Sequence, residues 1–421
     1  MSASQPVASD FPAPATAAEE LYSKLTVAAA AFFLVLEGCY LVTSALHDGG
    51  FHPPIDVSGY AIGRDFINVW MGGKSAFAGG PAPWFDLAAY NDAITALFGT
   101  QLPPHYWSYP PHLILFTWPF GLMPYLAAYA LWCIAGVALY VVAAAGGNFR
   151  RDHLLFLAMA PGVAVCVFFG QNGFFTAALL IAGLVSLDRR PLFAGVMFGI
   201  LTVKPQLGLL LPLMLIMTGR WRTIAAAAVT TAVLVALTSA LFGADVWMAY
   251  LDKVTPQQHW LLTEGGGLLQ AMVCSAFAAA RLVGLPIAAA WGVQAVVSAA
   301  AVMAVVWTYW RRRDPVLSTA VLVAATFLAT PWSLTYDLVV LGWVVDLLRR
   351  RFDNEVVDHR LAIAVWTLPV TAMLAGAVHI PLAPLVLVLF MGRHLWRLSQ
   401  EQTSVPSGRK SERLLTHLAG P

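Results

Sequence analysis

Apolar stretches long enough to cross a bilayer recur along almost the whole chain, from Leu25 to Leu398, and no other feature restricts the fold as severely. A helix needs about 20 predominantly apolar residues to cross the hydrocarbon of a membrane, within a range of about 17–25. In that medium backbone N–H and C=O groups must be satisfied internally, so stretches of this kind read as helices. Composition agrees: 59% of the 421 residues are hydrophobic and 11% are charged, against about 25% charged in a soluble domain. So few charges cannot coat a soluble surface of this size. The expected fold is therefore an all-α polytopic membrane domain over residues 25–398. Residues 1–24 read as a disordered cytoplasmic tail, Ala/Pro/Ser-rich over their first 18 positions and without the basic stretch of a secretory signal. Residues 399–421 read as a second cytoplasmic tail. The four cysteines lie in apolar surroundings without metal-type spacing and read as small hydrophobes.

Charges mark where such a chain leaves the bilayer, because they are costly at its centre, and Lys and Arg gather in cytoplasmic loops. Basic clusters occur at Arg150-Arg151, Arg189-Arg190, Arg220/Arg222, Arg311 to Arg313, Arg349 to Arg351 with Arg360, and from Arg393 to Arg413. With all of these and Lys24 on the cytoplasmic side, the helices alternate over twelve spans and both termini lie inside. Five of the 24 basic residues then fall elsewhere: Arg64, Lys74, Lys204, Lys253 and Arg281. Two long outer loops are predicted, at about 46–110 and 243–286. Short apolar pieces at 112–120 and 268–283 read as re-entrant or interfacial. No internal repeat of the transporter type is present.

The first outer loop carries the densest chemistry. Phe66, Trp70 and Phe77 recur near helical spacing and predict an amphipathic helix lying on the membrane. Asp65 stands where that helix begins and has two readings, an N-cap or a carboxylate general base beside Arg64. Asn68 and Lys74 share the same stretch. Asp86 reads as the N-cap of a following helix. Tyr109-Pro110-Pro111-His112 is a rigid turn whose Tyr109 and His112 face either a sugar or the interface. Gly170-Gln171-Asn172-Gly173 reads equally as a plain tight turn or as amides for sugar hydroxyls. Lys204, in Lys204-Pro205-Gln206, lies between short apolar spans without a carboxylate nearby in sequence. It either snorkels or binds a lipid phosphate. Asp337, after Tyr336, needs a cation or hydroxyl partner, and Glu37 raises the same question. His259 and Arg281 decorate the second outer loop, Arg281 as another candidate phosphate ligand. No metal-binding carboxylate cluster, nucleotide-binding glycine loop or basic aromatic stripe occurs, which argues against metal chemistry, ATP hydrolysis and nucleic-acid partners.

Taken in order, Asp65-Phe66, Gly79-Gly80-Pro81 to Phe85-Asp86, Tyr109-Pro110-Pro111, Gly170-Gln171-Asn172-Gly173, Lys204-Pro205-Gln206 and Tyr336-Asp337 resemble the pattern of bacterial glycosyltransferase family 87. The best-known members of that family are polyprenyl-phosphomannose-dependent mannosyltransferases. The resemblance covers roughly residues 60–345. It implies a GT-C fold in the bacterial inner (plasma) membrane, an active site facing the periplasm or exterior, and a catalytic aspartate in the first outer loop, which Asp65 matches by position. It further implies a polyprenyl-phosphate sugar donor, a lipid or glycan acceptor, inversion at the anomeric carbon and no cofactor. Lys204 and Arg281 would take the donor phosphate. The competing reading is a multi-span transporter or flippase, which predicts paired halves and polar residues at the bilayer midplane. Here the polar residues gather toward the outer side.

Overall fold

The computed structural model describes residues 17–47, 54–310, 314–351 and 355–400. Most of both expected tails, and the basic cluster at 311–313, lie outside the described residues. The first helix starts at Ala17, so residues 17–24 belong to it rather than to a tail. Its opening turn suits a helix N-terminus: Glu19 and Glu20 complement the dipole, and Glu20 pairs with Lys24 one turn on at 2.7 Å.

The described residues are helical almost throughout, and their only bridges are Ile55 with Ala61 and Val273 with Leu334. Six helices are long and apolar enough to cross a membrane: Ala17–Leu46, Tyr125–Ala145, Trp221–Phe242, Ile287–Trp310, Val356–Ala377 and Leu382–Gln400. The pair Arg151–Ala158 and Pro161–Phe169, bent by 50° at its break, makes a seventh if it acts as one span. Other segments expected to span are the shorter helices Gly173–Ser186, Pro191–Val203, Pro205–Met217 and Pro315–Ala329. At 1.5 Å per residue a 15-residue helix is about 22 Å long, short of the roughly 30 Å of hydrocarbon. Among the described residues, length and composition alone mark six or seven spans of a multi-pass membrane protein, and the expected twelve would require the shorter helices to cross as well.

Burial sorts these helices into two layers. Three of the long ones, Ala17–Leu46, Trp221–Phe242 and Ile287–Trp310, are peripheral: apolar side chains such as Leu34, Val229, Val233 and Val296 stay more than half exposed, as lipid-facing residues do, whereas Val356–Ala377 and Leu382–Gln400 bury one face. The short Pro315–Ala329 helix and the segment from Thr335 to Arg349 are buried along nearly their whole length and form the centre. Small residues set the spacing between layers. Gly195 and Gly199, four apart on one face, lie against Thr223, Ala226, Ala227 and Thr230 of the Trp221–Phe242 helix. An added Cβ at either glycine would come within 2.5 Å of that neighbour, the geometry of close helix association in lipid.

The loop after the first span corrects one expectation. Helix Phe66–Ser75 does not lie on a surface; Phe66 to Gly73 are buried. Phe66 sits among Tyr125, Tyr129 and Trp132, with ring centroids 5.4–6.2 Å away. On the other face Gly73 meets the backbone of Gly121, so that a Cβ would lie 2.5 Å from its nitrogen. Aromatic spacing revealed one packing face, while the glycines supplied a second. Phe77 lies beyond the helix and is exposed. The 112–120 piece is helix Ile114–Gly121 with Pro119 inside it, and 268–283 is two helices, Gly267–Met272 and Ala276–Leu282. They break where the Cys274 N–H donates to the Ser333 carbonyl at 2.7 Å.

At one end of the helices, buried carboxylates are neutralised by arginines. Asp346 meets His153 at 2.9 Å, Arg349 at 2.8 Å and Arg350 at 2.7 Å, and Asp358 meets Arg393 at 2.7 Å. Chain direction places the polar cavity described next at the opposite end, since Thr335–Val339 and Gly170-Gln171 sit at the far ends of the same segments.

Gly199→Val will lower unfolding stability by about 1–3 kcal/mol, the usual cost of overpacking. Gly392→Val, where a Cβ meets nothing within 4 Å, will change it little. Thermal unfolding in one detergent compares the two directly.

Candidate active site

Three turns converge on one cavity because two glycines let backbones touch. Gly170 ends the Pro161–Phe169 helix in the left-handed conformation, φ 58°, where a residue without Cβ is unstrained. A Cβ there would fall 2.4 Å from Phe66 Cβ and 2.5 Å from the Gly63 carbonyl. Gly173 opens the next helix, and its Cβ would fall 2.0 Å from the Tyr336 carbonyl. The segments Gly63–Phe66, Gly170–Gly173 and Tyr336–Asp337 are thereby locked together, with the Asp65 N–H donating to the Phe169 carbonyl at 3.0 Å.

Asp65 occupies the N-cap position of helix Phe66–Ser75, yet its side chain makes no capping hydrogen bond. The carboxylate turns instead to Gln171, whose Nε2 donates to Oδ2 at 2.7 Å. The ionised Asp65 carboxylate can only accept, which sets the Gln171 amide with Nε2 toward it and leaves Oε1 to accept from the buried Tyr109 hydroxyl at 2.9 Å. Trp132 Nε1 donates to the Gln171 backbone carbonyl at 3.3 Å. Tyr109, Gln171 and Asp65 thus form an oriented chain that, among the described residues, leaves Oδ1 without a protein hydrogen bond. Burial pushes the Asp65 carboxyl above the usual aspartate range, while the Gln171 hydrogen bond, the charges of Lys204 and Arg64, and that of His105 whenever its ring is protonated pull it partway back. By contrast Asp86 is an N-cap, accepting from the Ala88 and Ala89 N–H groups at 3.1 Å each.

The cavity holds about 730 Å³. Of the residues singled out in sequence, Arg64, Asp65, Asn68, Tyr109 and Gln171 line it on one side, and Lys204, Gln206, His259 and Tyr336 complete the wall. Asn68 is fixed by the Tyr90 hydroxyl, which donates to Oδ1 at 2.5 Å. The wall is divided in character. Leu261, Leu262, Leu268, Leu269 and Met272 are its apolar contribution, and Trp260, Trp291 and Trp332 also line it.

Both lining cations have protein carboxylates. Lys204 Nζ donates to Asp337 Oδ1 at 2.6 Å and lies 4.8 Å from the Tyr336 ring centroid. Asp337 also accepts from the Leu334 N–H at 3.0 Å. This supplies the partner that each residue needed, and Lys204 is not the solitary cation suggested by its sequence neighbours. Arg64 Nη2 meets the buried Asp56 at 3.1 Å and the Ser58 hydroxyl at 2.9 Å.

Other expected site residues fall elsewhere. Lys74 sits nine residues beyond Asp65, half a turn round the helix, over the Trp70 ring at 4.3 Å. His112 stacks on Trp247 at 5.6 Å and meets the Thr202 hydroxyl at 3.3 Å, behind the wall. Asn172 is buried without lining the cavity. The Arg281 guanidinium donates to the Leu285 carbonyl at 2.9 Å and does not reach the cavity, so it is not placed as a phosphate ligand. Sequence reasoning missed Tyr60, His105 and Trp291. The signal for His105 was available: Pro103-Pro104 and Pro110-Pro111 bracket the aromatic run His105-Tyr106-Trp107 in a stiffened loop. Among the described residues no group of His, Cys, Asp and Glu is placed to hold a metal.

Lys204→Met and Asp337→Leu will each destabilise the fold by about 3–5 kcal/mol by stranding a buried charge, whereas the double substitution will recover most of the loss. Unfolding of the four proteins in denaturant measures the cycle.

Residues 107–331 match the model of glycosyltransferase family 87. That stretch contains Tyr109, Gln171 and Lys204, and Asp65 precedes it. No curated protein and no solved structure matches the chain. With more than half of its length in this match, and with several helices long and apolar enough to cross a membrane among the described residues, the chain belongs to glycosyltransferase family 87 and is a membrane glycosyltransferase.

Proposed function

We propose that the protein is a GT-C-type, inverting hexosyltransferase that moves a sugar, mannose by family preference, from a polyprenyl-phosphate donor to a lipid or glycan acceptor. Asp65 is the general base. The observation that carries this reading is the Asp65 carboxylate itself, free of any capping bond, held by Gln171 through Oδ2, on a residue that lines the cavity. A lipid-linked donor suits a cavity with an apolar flank of leucines beside polar groups, since the isoprenoid and the sugar need opposite surroundings. In keeping with the charge asymmetry of the loops, the cavity faces the periplasm or exterior and both termini lie in the cytoplasm.

The reaction balances simply. Asp65 Oδ1 accepts the proton of an acceptor hydroxyl as that oxygen attacks the anomeric carbon. The bond from that carbon to the phosphate oxygen breaks on the opposite side, and the electron pair leaves with the polyprenyl phosphate. Charge builds on the phosphate, so fixed cations matter most there. Lys204 uses one of its three N–H donors on Asp337, and Arg64 lines the same cavity. These two take the phosphate side in this scheme, with Tyr336, Gln206 and His259 on the donor wall. The transporter alternative has no comparable observation behind it.

Asp65→Asn keeps size and hydrogen-bonding capacity but removes the base. Transfer from polyprenyl-phosphate mannose by the purified enzyme in lipid is expected to fall by about 10²–10⁴-fold, with folding unchanged. Transfer that survives would move the base elsewhere.

The pH profile gives a second check. Activity requires the ionised carboxylate, so kcat/KM falls as pH drops through the Asp65 pKa. Burial raises that pKa, which places the acid limb above the ordinary aspartate value of about 3.9. Gln171→Leu removes a hydrogen bond that favours the charged form and will move the limb to still higher pH.

A further inference from the structure

His105 is placed like a ligand-binding group that lacks its ligand. It lines the cavity yet is only 4% exposed, and neither ring nitrogen has a hydrogen-bond partner. The Pro103 carbonyl lies close enough to favour a proton on the ring, but not in hydrogen-bonding geometry. Buried polar groups without partners are rare because each forfeits the hydrogen bonds that it would make in water. The loop does not leave this ring loose. Asn91 clamps the backbone on both sides, its Nδ2 donating to the His105 carbonyl at 3.0 Å and its Oδ1 accepting from the His105 N–H at 2.9 Å. Tyr60 packs edge-on against the ring at 5.9 Å. His105 and Asp65 feel each other's charge, yet no hydrogen bond or ion pair joins them. Burial lowers the imidazole pKa and keeps the ring neutral, with one N–H donor and one acceptor lone pair. That pair of functions complements a hydroxyl, which also donates one hydrogen bond and accepts others.

We propose that His105 is a sugar-binding residue of this cavity, hydrogen-bonding an acceptor hydroxyl next to the one that Asp65 deprotonates. The assignment rests on the reading of the cavity as a sugar-transfer site. It gives the Pro103–Pro111 loop a task in acceptor selection, while the leucine flank serves the lipid-linked donor.

Octyl α-mannoside, a sugar on a short apolar tail, is the probe. Its binding to the full chain in lipid nanodiscs is read from the fluorescence of Trp260, Trp291 and Trp332, which line the cavity. Saturable binding is expected in wild type, within about threefold in His105→Gln, whose amide both donates and accepts, and weakened about tenfold in His105→Leu. In parallel, the ring nitrogen resonances of His105, identified by their loss in His105→Gln, should shift when the glycoside saturates the wild type. This keeps the test valid if His105→Leu does not fold. Equal binding by all three proteins, no binding by wild type, or unmoved nitrogen resonances would overturn the assignment. If wild type binds the glycoside through His105 but transfers no sugar from polyprenyl-phosphate mannose, the transferase mechanism fails and the binding assignment stands. Asp65-dependent transfer with binding indifferent to residue 105 overturns the assignment alone.

Discussion

The polar cavity of this protein depends on three backbones touching where glycines permit it. Gly170 and Gly173 bound a four-residue turn, and each lies so close to another segment that a methyl group would not fit. One contact brings in the loop carrying Arg64 and Asp65, and the other brings in the segment carrying Tyr336 and Asp337. The turn between them presents Gln171 to the carboxylate. Asp65, Gln171 and Tyr336 are hundreds of atoms apart along the chain and neighbours in space because of two missing side-chain carbons.

The same contacts organise the charges. In a low-dielectric interior an unpaired ion is costly, and the fold obeys that rule at both ends of the bundle. Asp346 and Asp358 are surrounded by arginines at one end, Asp56 has Arg64, and Asp337 has Lys204. Asp65 departs from this pattern, being held by an uncharged amide with cations and an imidazole only at a distance. An amide steadies a carboxylate and lowers its basicity less than an adjacent arginine would. That difference separates the carboxylate suited to accept a proton from those that hold helices together.

The sequence was legible where chemistry required particular residues at particular turns. Asp65, Gln171, Lys204 and Tyr336 could be picked out because prolines, glycines and isolated charges are unusual in apolar surroundings, and they do meet. The long apolar helices were equally readable from their length. What failed was whatever depends on the direction of a side chain or the partner of a backbone. Lys74 shares a helix with Asp65 but faces away from it, and Arg281 satisfies the carbonyl of Leu285 rather than a ligand. The pairing of Lys204 with Asp337 joins residues 133 positions apart, which no local pattern announces. The short apolar helices account for the difference between the twelve expected spans and the six or seven that length and composition mark, because burial at the centre of a bundle and burial in lipid select the same residues. His105 escaped notice because a lone histidine in a loop carries no periodic signal; the prolines on either side of its loop and its missing partners are what mark it.

The most direct test of the account is a structure of the enzyme in lipid with a polyprenyl-phosphonate mannose analogue, whose carbon link cannot be cleaved. The account predicts the isoprenoid along Leu261, Leu262, Leu268 and Leu269 and the phosphonate toward Lys204. The anomeric carbon should face Asp65 across a space for one hydroxyl, with Gln171 still donating to the carboxylate. A sugar bound with its anomeric carbon turned away from Asp65, or a donor seated outside this cavity, would contradict the account.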